Sequence, residues 1–116
     1  MQSDRELLVL AAKAAGYLKF QYCETSGGLQ AIYVEDGGIG FWEPLIDDGD
    51  ALRLAVKLKI DLKLYDDHVV AWFGGGYIGT GKILYGDDPQ AATRRAIVRA
   101  AAELAQPHPD HKDGGA

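Results

Sequence analysis

Two stretches of this chain carry carboxylates and a guanidinium at matching spacing. They are "DDGDALRLAVKL", residues 47–58, and "DDPQAATRRAIVRA", residues 87–100. Asp47 aligns with Asp88, Ala51 with Ala92, Arg53 with Arg94 and Ala55 with Ala96. Clustered carboxylates are hard oxygen ligands for Mg²⁺ or Ca²⁺. A calcium loop starting at Asp48 finds Asp50 at its third position but Leu52 at its fifth, so that pattern fails. Helix capping explains the repeat instead. An aspartate at a helix start accepts from exposed amides and faces the positive end of the dipole, worth about 0.5–2 kcal/mol.

The remaining reactive residues assemble no catalytic set. Arg95, Arg99 and Glu103 are spaced by four, with Arg94 alongside. That arginine stripe suits an acidic partner or a phosphate, or else a solvated helix face. The glycines of "FGGGYIGTG", residues 73–81, match neither a dinucleotide fingerprint nor a phosphate loop. A strand rather than a helix should follow them, and Lys82 is followed by Ile83 rather than Ser or Thr. His108, Asp110 and His111 lack a fourth ligand and an ordered scaffold for structural zinc. Cys23 stands beside Glu24, which disfavours a thiolate. The reading is therefore no enzyme, with no catalytic, cofactor or metal residues. Arg94, Arg95, Arg99, Trp42 and Tyr77 are the candidate interaction surface, since aromatics and arginine are enriched at interfaces.

These residues need elements to position them. Ser3 and Glu6 form a capping box before Leu7, Leu8, Ala11 and Ala12, predicting a helix over 4–15 that Gly16 stops. Two strands follow around Tyr17–Tyr22 and Ala31–Val34, with a turn at 25–28. A second helix spans Asp47 or Asp48 to Lys59. Its apolar residues cover most of the circumference, so only a strip with Arg53 and Lys57 should face water. Ile60, Leu62 and Leu64 alternate with Asp61, Lys63 and Tyr65 as a strand with one wet face. Residues 68–73 return as its hairpin partner, and Lys82–Tyr85 form a short third strand. Pro89 opens a third helix that runs to Ala105.

The order is α-β-β-α-β-β-β-α. It predicts an α+β fold: a three-layer α/β/α sandwich, with three helices and one mostly antiparallel sheet of about five short strands. Residues 1–105 form a single α+β sandwich domain and 106–116 a disordered tail.

The bulk numbers narrow the function. The chain has 116 residues, 47% hydrophobic and 25% charged, with a formal net charge of −5. An acidic chain is a poor binder of phosphate backbones, so nucleic acid is an unlikely partner. Its single cysteine cannot form an internal disulfide. The N-terminus lacks a signal-peptide pattern and no apolar run reaches membrane-spanning length. The expectation is a cytoplasmic protein with no membrane association.

"FWEPLIDDGDALRLAVKL" and "YGDDPQAATRRAIVRAAAEL" together resemble the phage ABA sandwich domain, a group of small proteins encoded by tailed phages and prophages. The residues carrying the resemblance are Trp42, Pro44, Asp47, Asp50, Arg53, Asp88, Pro89, Ala92, Arg94 and Ala96. The resemblance implies a helix–sheet sandwich and a phage or prophage origin, and carries no catalytic residue. The functional expectation is a non-catalytic phage accessory protein that binds a host or phage protein, in one version inhibiting a host system. The alternative is a nucleic-acid- or anionic-ligand-binding module using Arg94, Arg95 and Arg99.

Overall fold

The computed structural model describes residues 3–24, 26–73 and 78–106. The chain opens on helix α1 (Asp4–Ala14). Ser3 Oγ accepts from the Glu6 amide at 3.2 Å, and Glu6 Oε1 accepts from the Ser3 amide at 2.9 Å. This is the expected capping box. Leu7, Leu8, Ala11 and Ala12 are buried, and Gly16, at φ +90°, ends the helix in the left-handed region.

Strands β1 (Phe20–Glu24), β2 (Gln30–Val34) and β3 (Gly40–Trp42) form an antiparallel sheet in that order. The Asp36 carboxylate accepts from the Leu18 and Lys19 amides at 3.0 and 2.7 Å. It thereby ties the α1–β1 link to the turn after β2. Those two donors hold its carboxyl below the ordinary aspartate range. Strand β3 was not expected. It is three residues long, and the glycines around it hide the strand pattern.

Helix α2 (Asp48–Leu58) leads into β4 (Asp61–Leu64), β5 (His68–Phe73), β6 (Ile78–Gly79) and β7 (Ile83–Leu84). In this second antiparallel sheet β5 is central: β4 pairs on one side, and β6 and β7 pair with β5 as well. Gly79 is required where it stands, because a Cβ there would lie 2.8 Å from the Ala71 carbonyl oxygen. Helix α3 (Pro89–Ala105) closes the fold, with Pro89 in its first turn as expected.

Over the described residues this is a compact α+β fold with three α-helices and two antiparallel sheets. The expected single sheet between helices is replaced by a different arrangement. Helix α1 packs on β1 and β2, α3 packs on β5, β6 and β7, and the two helices pack on each other. The physical reason lies in α3. Its alanines at 92, 96, 100, 101 and 102 are buried on more than one side, which suits a helix with neighbours all round. The observed order also contains two more strands, β3 and β6, than expected.

Helix α2 departs most from expectation. Ala51, Leu54 and Ala55 are buried, but Leu52 and Val56 are 62% and 61% exposed. The apolar circumference exceeds what the fold covers. Of the expected tail 106–116, only Gln106, which caps α3, lies within the described residues.

Candidate apolar cleft between α2, β4 and α3

Both repeated motifs start helices, as their spacing predicts. Asp47 Oδ2 accepts from the Asp50 amide at 2.8 Å, and Asp88 Oδ1 from the Ala91 amide at 3.0 Å. The other carboxylates do more than cap. Asp50 accepts from the Glu43 amide at 2.9 Å and from Arg53 Nη2 at 2.8 Å. Asp48 meets Arg94 Nη1 at 2.6 Å, and Arg94 Nε donates to the Leu45 carbonyl at 2.9 Å. The second motif's arginine is therefore clamped onto the start of the first motif's helix.

Both members of this clamp line an apolar cleft of about 490 Å³. Ala51 and Leu52 of α2 form one wall and Leu62 and Leu64 of β4 the other. Tyr85 and α3, from Pro89 to Ile97, supply the floor. Strand register explains the β4 wall. Leu62 lies opposite Ala71 and Leu64 opposite Val69, so both leucines share the face of the sheet that α3 packs on. Leu64 is nevertheless 61% exposed, because β4 is an edge strand beyond the reach of α3.

Most polar groups around the cleft are already engaged. Arg94 and Asp48 neutralise one another. The Tyr85 hydroxyl donates to the Tyr65 carbonyl at 2.7 Å, and the Thr93 hydroxyl donates to the Pro89 carbonyl at 2.8 Å. Beside Tyr85, His68 stacks on Tyr65 at 4.4 Å and its Nδ1 lies 2.6 Å from Asp67. The hydrogen bond with His68 holds the Asp67 carboxyl below its ordinary range. The volume and the largely apolar lining suit a buried aliphatic or aromatic group.

The candidate interaction residues do not come together as expected. Arg94 is largely covered by its clamp. Arg95 pairs instead with Asp4 of α1 at 2.9 Å, so the two arginines serve different helices. Arg99 is exposed. Trp42 is a correction: it is 4% exposed and packs edge-on against Tyr17 at 5.4 Å. Alternation along β3 turns Phe41 outward instead, where it meets Tyr33 at 5.1 Å. Tyr77, Gly74–Gly76, His108 and His111 lie outside the described residues. The sequence reading missed Leu52, Leu62 and Leu64. Their one advance signal was that α2 carries more apolar residues than a single buried face needs.

Comparison with protein families, with curated proteins and with solved structures found no match. Among the described residues no helix is long and apolar enough to cross a membrane.

Proposed function

We propose that this chain is a non-catalytic interaction protein whose cleft between α2, β4 and α3 receives an apolar side chain from a segment of a partner protein. The observation that carries this reading is a pair of exposed leucines on one concave surface, Leu52 and Leu64, which the half-buried Leu62 also lines. Contiguous exposed apolar surface rimmed by polar residues is typical of binding sites. The segment is expected to carry basic flanks. The chain is acidic overall, and Asp47 and Asp88 adjoin the cleft lining in sequence.

The non-catalytic part of the reading rests on how the polar groups are used. Arg94, Asp48, Tyr85 and Thr93 all hold structural partners at the cleft. The same bonds weigh against a phosphate-binding arginine stripe, since Arg94 and Arg95 already hold carboxylates. A phage or prophage setting, a host or phage partner and inhibition of a host system rest on the sequence resemblance.

Leu52→Glu tests the reading. The position is exposed, so stability should change by less than about 0.5 kcal/mol. A partner captured by the wild-type chain from nuclease-treated host or infected-cell lysate should be lost with this variant. Capture unchanged by Leu52→Glu would place the interaction elsewhere.

A further inference from the structure

The open edge of β4 has a feature that the cleft does not use. Tyr65 N donates to the His68 carbonyl at 2.9 Å, which fixes the phase of the β4–β5 ladder. The amide and carbonyl of Ala71, opposite Leu62, instead serve Thr80. By alternation, the backbone groups of Leu62 and Leu64 point away from β5. Leu62 also borders a second depression, of about 390 Å³, flanked by Leu52 and Val56 of α2. An edge strand with open backbone groups beside exposed apolar side chains is a template for another strand.

The charges on β4 decide what kind of strand. Asp61 and Lys63 alternate with the leucines and share the opposite face of the sheet. Consider a second copy of β4 laid antiparallel about a twofold axis at Leu62. Leu62 then exchanges both backbone hydrogen bonds with Leu62 of the partner subunit, as its outward groups require. On the outer face, Asp61 lies opposite Lys63 of the partner subunit, and Lys63 opposite Asp61 of the partner subunit. On the inner face, the two Leu62 side chains meet across the axis. Shifting the axis to Lys63 would set two lysines face to face, which is destabilising. Of these two registers, only the one centred on Leu62 is complementary in charge.

We propose that the chain forms a twofold dimer through β4, with two reciprocal Asp61–Lys63 pairs across the seam. Each copy then covers the open edge of the other at Leu62. The dimer does not depend on what the cleft binds.

Charge reversal tests it, with the full chain and sedimentation velocity as the readout. The wild type should dimerise at micromolar concentration. Asp61→Lys and Lys63→Asp should each turn two attractive pairs into two repulsive ones and weaken the dimer by about tenfold or more. Both positions are exposed, so circular dichroism should be unchanged. Mixing the two singly reversed chains should restore dimers, because every facing pair is then opposite in charge. The double variant D61K/K63D should likewise self-associate. A wild-type chain that stays monomeric, single reversals that dimerise normally, or a mixture that stays monomeric would each overturn the proposal. Partner capture by a charge-reversed chain separates the two readings: a monomeric Asp61→Lys chain that still captures the partner upholds the cleft without the wild-type dimer, and a wild-type dimer that captures nothing does the reverse.

Discussion

Arg53 and Arg94 occupy matching places in the two repeated motifs, yet they do different work. Arg53 bonds within its own helix start, to Asp50, and its side chain is 72% exposed. Arg94 crosses to another helix, and its side chain is 16% exposed. A partly buried, charge-assisted bond is worth more than an exposed one. Arg94→Ala should therefore cost about 1–3 kcal/mol in chemical denaturation. Arg53→Ala should cost less. Arg94→Lys should recover only part of the loss, because one ammonium cannot copy the guanidinium's fork onto both Asp48 and Leu45. Carboxylates add a pH dependence. Asp36 and Asp67 are held below their ordinary range by hydrogen bonds, as is Glu6 by Ser3. Groups with a lowered folded pKa contribute stability above the unfolded value and lose it as pH falls through the folded one. Denaturation midpoints should thus drop below about pH 4. Asp36→Asn should start lower and fall less steeply, since its carboxamide does not titrate. An unchanged slope would remove Asp36 from the account.

Helix starts were legible in the sequence because capping is local: Ser3, Asp47 and Asp88 each act within three residues. The parity of β3 was not. Whether Trp42 or Phe41 faces inward depends on pairing with β2, where Trp42 lies opposite the buried Ile32. The cleft was hidden for a related reason. Leu52 and Val56 look like core residues until the number of covering elements is known, and α2 lacks a cover on that side. The turn from α2 into β4 carries its own strain. Lys59 sits at φ 57°, ψ 47°, a left-handed conformation that costs a side-chain-bearing residue roughly 1–2 kcal/mol. Lys59→Gly should raise stability by about 1 kcal/mol, less the entropy that glycine adds to the unfolded chain. A thermal melt checks this, and a lowered midpoint would mean the lysine side chain contributes more than its backbone costs.

At the scale of the whole molecule, two sheets flank a helix pair, while the β4 edge and one face of α2 stay open. Burying apolar area is the main favourable term in folding and association alike. Leu52 and Leu64 are left outside the fold, and the proposed function assigns this apolar surface to another chain. The most direct measurement places a photo-crosslinking residue at Gln90, on the cleft floor and away from the β4 edge, and at Lys13 on α1 as a control. Products from nuclease-treated lysate are read by mass spectrometry. The account predicts one discrete protein adduct from position 90, absent from position 13 and lost with Leu52→Glu. The same adduct from both positions, or none from position 90, would contradict it.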